Sequence, residues 1–414
     1  MTAQNNQLKY FSQRTILYDH SRPEQDMTTQ TIRKIFTRDF VLGCFAQFTF
    51  VSVFYLLVPT LPIYLSKSGL KEAEIGILIG IFFVSALGLR PLVGKALLNI
   101  PEKRFMMIGG LLFILTSFGY LLAPPFWPFF IVRVFQGIGL ALFHTAAFTL
   151  IANISPEAHR GQSLSYFFAA PNVSLALAPA AGMFLINRFS FTLLFLVCSG
   201  VSLCCLLITS RLGGRRVAPP EDSSTGKGSL LIWNVLPPSI VSFLNLAMWG
   251  ALTAFFPLHA LNHGVANSGL FFTTIAVMLT LGRVFGGKIL DLYSRERLIP
   301  SLLGACVVSA AILAFSENLP MFILAGVIWG IGNALLMPAV MAYVLDRAGS
   351  STGPAIGMFT LLSDLGLGLG PVIMGIIIRL SSYPVMFLCL AFTGVINVFY
   401  FYFFVRKKGT PKPR

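Results

Sequence analysis

Apolar and polar positions divide the chain into long hydrophobic runs separated by short polar breaks. Within each run the apolar residues are continuous rather than alternating, which predicts helices and not barrel strands. Each run is near the roughly 20 residues that cross a bilayer. Twelve such spans are predicted, at 39–65, 74–96, 105–123, 127–152, 163–186, 190–209, 231–261, 268–290, 298–316, 319–345, 354–379 and 383–405. Several contain Pro or Gly, which membrane helices tolerate when neighbouring groups satisfy the freed backbone. The expected fold is an all-α polytopic membrane protein.

Composition agrees. Of the 414 residues 56% are hydrophobic and 11% charged, with a mean hydropathy of +0.79. A soluble domain carries about 25% charged residues. The polar segment 1–38 is too long for the n-region of a cleaved signal peptide, so the first span is expected to remain as an anchor. The net charge of +15 raises the question of a nucleic-acid partner, and its distribution answers it. With the N-terminus inside, 25 of the 30 Lys and Arg fall in the tails and inward-facing loops; Lys67, Lys71, Arg188 and Arg379 lie at outer ends, and Arg133 alone is expected within a span. This is the positive-inside pattern. It places both termini in the cytoplasm, with no nucleic-acid partner, and the basic tail 406–414 is free to touch anionic lipid.

The chain repeats itself. RPLVGKALLNIPEKR (90–104) matches RVFGGKILDLYSRER (283–297), pairing Arg90 with Arg283, Gly94 with Gly287 and Arg104 with Arg297 at an offset of 193. GQSLSYFFAAPNVSLALAP (161–179) matches GPAIGMFTLLSDLGLGLGP (353–371) at an offset of 192, pairing Asn172 with Asp364 and Pro179 with Pro371. Two same-direction copies of six spans are the parallel-repeat plan of one transporter class. Two pseudo-symmetric six-helix bundles are therefore expected, 39–209 and 231–405. They are joined by a polar Gly-, Pro- and Ser-rich cytoplasmic linker at 210–230 and flanked by cytoplasmic tails at 1–38 and 406–414.

These segments resemble the major facilitator superfamily from Asp39 to Val405. Both loop copies are similar to its G-x-L-a-D-R-x-G-R-R motif, RVFQGIG (133–139) to its R-x-x-q-G-x-G, and SPEAHRGQS (155–163) to its S-P-x-x-R-R-G segment. The Gly- and Pro-rich ends of spans five and eleven resemble the drug:proton antiporter branch, and SDLGLGLGP is most like bacterial efflux and arabinose-efflux-type permeases. The resemblance implies a bacterial inner-membrane transporter. It also implies a cytoplasmic latch formed by Arg90, Gly94, Arg104, Arg283, Gly287, Asp291 and Arg297. The latch is expected to be lopsided, because the acidic position kept as Asp291 is Leu98 in the first copy. Span five has Ala178 where the antiporter motif has Gly before Pro179, whereas span eleven carries Gly366, Gly368, Gly370 and Pro371.

Asp364 is the single carboxylate expected well inside a span. Intramembrane ionisable residues mark ion and substrate paths, so Asp364 is a candidate proton site; the alternative is a fixed partner for a buried Arg or a helix end. Arg133 is expected to tune or pair it, to hold an anionic substrate, or to bridge helices. The resemblance ties such an arginine to proton coupling. Arg133, Gln136 and His144 share a helical face expected to look into a central cavity. His144 titrates near neutral pH or is a hydrogen-bonded packing residue. Ser242, Asn245, Trp249 and Thr253 form a stripe on span seven, and Gln47, Asn172 and Asn333 are isolated amides. Such groups line a cavity or bond neighbouring helices. His259 and His263 have i,i+4 spacing but no nearby acid, and the six cysteines lack metal spacing, so no metal is assigned.

No Walker A loop, G-x-S-x-G elbow or H-E-x-x-H helix occurs. The chain is expected to be no enzyme, to need no cofactor and to draw on an ion gradient. A receptor or polytopic enzyme would call for an added domain or catalytic constellation. The expected function is proton-coupled export of a small amphipathic molecule by a monomer, through alternating access. The alternative is proton-coupled uptake of a small metabolite or organic anion.

Overall fold

A computed structural model describes residues 35–124, 126–156, 160–213, 233–348 and 352–406. Most of both expected tails and of the linker lies outside these residues. The helices are α1 (Arg38–Lys67), α2 (Glu72–Ala96), α3 (Glu102–Leu122), α4 (Trp127–Ile154), α5 (Arg160–Phe167), α6 (Ala169–Arg188) and α7 (Phe191–Ser210) in the first half. The second half holds α8 (Leu236–Asn262), α9 (Gly269–Leu292), α10 (Arg295–Ala314), α11 (Leu319–Ala348), α12 (Thr352–Leu380) and α13 (Tyr383–Tyr400), which ends in a π-helical turn at Phe401–Val405. Among the described residues twelve helical stretches are long and apolar enough to cross a membrane.

Span five is two helices, α5 and α6, broken at Phe168. Pro171 has no N–H to give the Phe167 carbonyl, which explains the break. The equivalent residue in span eleven is Ser363, and α12 runs through it unbroken. Elsewhere proline is accommodated inside helices, as at Pro59, Pro62, Pro257 and Pro338. The turns after α1 and α8 each place a glycine in the left-handed region, Gly69 (φ 86°) and Gly264 (φ 74°), where only glycine is free of strain.

Helix packing repeats as the sequence does. In the first half α1 packs on α6 and α7, α2 on α4, and α3 on α4 and α7. In the second, α8 packs on α12 and α13, α9 on α11, and α10 on α11 and α13. These are the same contacts under the exchange of one half for the other. The halves meet along α1 with α8, α2 with α12, and α6 with α9. Exposed apolar stripes such as Leu111, Leu115, Phe118 and Leu122 on α3 suit a hydrocarbon environment and not water.

The α2–α12 seam is built from small residues. A Cβ at Gly76 would collide with the Pro371 carbonyl, and one at Gly80 with that of Gly368. Near the loop at 68–71, Gly375 comes so close that its Cβ would lie 2.6 Å from the Glu72 carbonyl, and the Tyr383 hydroxyl donates to Glu72 at 3.5 Å. Towards the opposite end a Cβ on Gly88, Gly94 or Gly357 would meet nothing within 4 Å. The halves are thus closed at the end carrying the 68–71 loop and, at these glycines, open at the opposite end, where Arg38 and Arg406 lie.

Gly80→Leu is expected to disfavour this closure by about 1–3 kcal/mol, the usual range for overpacking. A thiol reagent applied from the 68–71 loop side should then label a cysteine placed at Thr253 faster than in the parent protein. Unchanged labelling would show that the seam does not close that end.

Candidate functional site

Asp364 sits in α12 one turn before Gly368, buried to 9% exposure. Its carboxylate pairs with the Arg90 guanidinium of α2, in the other half. Arg90 was expected at the loop, but α2 continues through Pro91 to Ala96, so the side chain leaves the helix within the membrane-spanning segment. Arg283 likewise lies within the spanning part of α9, Gly269–Gly286. The expectation that Arg133 is the sole basic residue in a span is therefore corrected. The pair lies just beyond the last close approach of the seam, where a Cβ on Gly368 would meet Val84, at the edge of the open end. The Ser242 and Ser363 hydroxyls, 2.6 Å apart, tie α8 to α12 beside Asp364.

Arg133 does not reach Asp364, because its donors are committed inside the first half. Nε donates to the Leu78 carbonyl at 2.8 Å, Nη2 to that of Ile79 at 3.3 Å, and Nη1 to Gln136 Oε1 at 2.6 Å and the Tyr120 hydroxyl at 3.4 Å. Tyr120 also donates to Gln136, and the guanidinium lies 4.5 Å from the centre of the Phe82 ring. Arg133 therefore braces α4 to α2 behind Gly76 and Gly80. Part of it still borders a small cavity between the halves, with Phe54, Leu61, Ile79, Phe83 and Thr253. Gln136, expected at the cavity, is buried in this brace.

The other predicted residues separate into two groups. Asn245 and Asn333 bond each other at 2.8 Å, and Asn333 also reaches the Trp329 carbonyl at 3.2 Å and the Cys306 sulfur at 3.1 Å. They join helices of the second half. Trp249 stacks on Trp329 with centroids 6.1 Å apart. Gln47 is fully buried, and neither amide atom has a hydrogen-bond partner among the described residues. His144 packs edge-on against Phe148 and lies within electrostatic reach of Arg90. Asn172 is half-buried on α6. His259 bonds the Ser316 carbonyl at 3.1 Å and His263 the His259 carbonyl at 2.9 Å, so both rings serve local structure.

Of the expected latch, Arg90 alone bridges the halves among the described residues. Arg104, Arg283 and Arg297 are exposed, Gly94 is uncrowded, and the surroundings of Gly287 and Asp291 lie outside the described residues. Arg295 pairs instead with Asp346, joining α10 to α11. Sequence reasoning missed the Arg90–Asp364 partnership and Tyr120. A signal for the first was present: position 90 falls inside the predicted span 74–96.

Comparison with known proteins fits this architecture. A family model described as Major Facilitator Superfamily matches residues 43–315 and 238–414. The chain is 25% identical over 372 residues to the staphylopine export protein of Staphylococcus aureus (strain Mu50 / ATCC 700699), covering 83% of this chain and 90% of the relative. It is 24% identical over 361 residues to quinolone resistance protein NorA of Staphylococcus aureus (strain COL), covering 83% and 91%. Among solved structures, the nucleoside transporter NupG superposes with a TM-score of 0.76 at 14% identity over 90% of this chain and 100% of its own. The human organic anion transporter MFSD10 (TETRAN) gives 0.66 at 14% over 89% and 99%. At these identities the structures speak to the fold alone.

Replacing Arg133 by Leu removes the buried guanidinium that donates to two carbonyls, Tyr120 and Gln136. A loss of about 1–3 kcal/mol is expected, read as a clear fall in the Tm of the purified protein. Arg283→Leu should leave Tm nearly unchanged. Equal effects would mean that Arg133 is no brace.

Proposed function

The chain belongs to the Major Facilitator Superfamily, and from that premise we propose that it is a proton-coupled exporter of small amphipathic molecules. The observation that carries this reading is the Arg90–Asp364 pair joining the two halves at the edge of the open end. A charged carboxylate holds Arg90 by Coulomb attraction, and a proton on Asp364 removes that attraction. One protonation event thus acts directly on a contact between the parts that rock in alternating access. The likeness, over 83% of this chain, to a staphylopine exporter and a quinolone resistance protein supports the outward direction.

In this reading the positive-inside charge pattern puts the termini in the cytoplasm of a bacterial inner membrane, so the open end faces the cytoplasm. The protein works as a monomer. Substrate enters between the halves and meets the apolar cavity walled by Phe54, Ile79 and Phe83, with His144, Asn172 and Trp249 as further lining. Asp364 takes a proton from the outer side after substrate leaves and yields it inside before the next substrate binds. Arg90 is its partner, and Arg133 contributes by holding α2 in shape. The seven latch residues close the cytoplasmic side in the opposite state.

The test uses everted membrane vesicles holding an imposed proton gradient and a panel of cationic drugs, sugars and organic acids. At least one compound is expected to collapse the gradient with wild type and not with Asp364→Asn, whose folding is checked by elution in detergent. Equal collapse by both would remove Asp364 from coupling. A panel with no effect, followed by proton-driven accumulation of a labelled compound in whole cells, would replace export with uptake.

A further inference from the structure

The two repeat copies bring different charge to the space between the halves. Arg90 of α2 meets a carboxylate on α12. Its equivalent, Arg283, lies on α9, which packs against α6, where the position matching Asp364 is Asn172. The acid is absent from one side of the pseudo-symmetry and the arginine is kept on both. Arg283 is exposed and forms no ion pair among the described residues. It lies within electrostatic reach of Tyr55 on α1, in the opposite half. Tyr55 in turn touches the Phe54 ring at 5.1 Å, and Phe54 walls the apolar cavity.

Among the described residues the other charges of this region are paired or hydrogen-bonded. Asp364 and Arg90 neutralise each other, and Arg133 is held by two carbonyls, Gln136 and Tyr120. Arg283 is left as a fixed cation beside a greasy surface. An uncompensated charge at membrane depth is costly and calls for a counter-charge. A guanidinium presents a planar fork of donors that matches carboxylate, phosphate and sulfonate oxygens. A cationic compound entering the same space would meet repulsion from Arg283, with no free carboxylate among the described residues to offset it.

We propose that the transported molecule is an amphipathic anion whose charged head binds Arg283, with Tyr55 beside it, and whose apolar body lies against the Phe54 side of the cavity. This rests on the reading that the space between the halves is the substrate path. It makes Arg283, and not Arg133, the residue that selects substrate by charge.

The test measures equilibrium binding to the purified full-length protein in nanodiscs, at one pH and without a gradient, with binding to empty nanodiscs subtracted. The probes are 1-naphthoate and 1-naphthylmethylammonium, similar in body and opposite in charge. Naphthoate is expected to bind about tenfold more tightly. Arg283→Gln should remove the preference and Arg283→Lys should keep part of it, while Tm stays unchanged in both. Tighter or equal binding of the ammonium, an unaltered preference in Arg283→Gln, or no binding of either probe at millimolar concentration would overturn the proposal. Binding here requires no proton movement, so a naphthoate preference that survives in Asp364→Asn separates this inference from the coupling mechanism.

Discussion

A transporter of two rocking bundles needs an interface that can part and re-form, and that constraint governs how its charges are used. Lipid gives little hydrophobic drive to helix association, so the halves hold each other by close backbone approach and by polar ties. In this protein the close approach is the glycine seam of Gly76 and Gly80 on α2 against Gly368 and Pro371 on α12. The polar tie at its open edge is Arg90 with Asp364. The seam glycines themselves have no side chains to disentangle when it opens. The ion pair is the element whose strength a proton can change, and it stands where the closed seam gives way to the open vestibule.

The other membrane-embedded polar groups serve that arrangement from a distance. Arg133 holds α4 to the back of α2 at Leu78 and Ile79, the turn that bears the seam glycines. Asn245 and Asn333 lock α8 to α11, and Ser242 with Ser363 fixes the register of α12 beside Asp364. On the opposite side of the pseudo-symmetry the ties are neutral: Thr273 donates to the Ala176 carbonyl at 2.7 Å and Asn187 to that of Ala266 at 2.9 Å. One side of the molecule thus carries a bond that protonation can loosen. The other carries bonds indifferent to pH and leaves Arg283 available.

Much of the fold was legible in the sequence, because the physics that sets it is local. Apolar run length marks twelve spans, and the offsets of 193 and 192 predict the doubled packing pattern found between helices. Asp364 was also legible, since a lone carboxylate in a span is costly and therefore informative. Its partner was misassigned. Helical periodicity places Arg133, Gln136 and His144 on one face, but it does not say which neighbouring helix that face meets. Carbonyls of α2 reached Arg133 first. Arg90 was counted with the loop because basic residues near helix ends ordinarily set topology, and no local signal tells a snorkelling arginine from one that turns inward. The break at Phe168 was readable in principle from Pro171, although membrane helices tolerate proline often enough that the position alone does not decide.

The central claim is that Asp364 and Arg90 form one proton-sensitive bond between the halves. A double-mutant cycle on thermal stability tests it most directly, with Arg90→Gln, Asp364→Asn and the combined variant measured across a pH series. His144 lies within electrostatic reach of Arg90, so the cycle is run in a His144→Gln background to assign any pH dependence to the carboxyl group. A paired, ionised Asp364 predicts a coupling energy of about 0.5–3 kcal/mol at the alkaline end, where the carboxylate is charged. It should fade as pH falls and the group takes up its proton. Additive effects of the two substitutions at every pH would contradict the account.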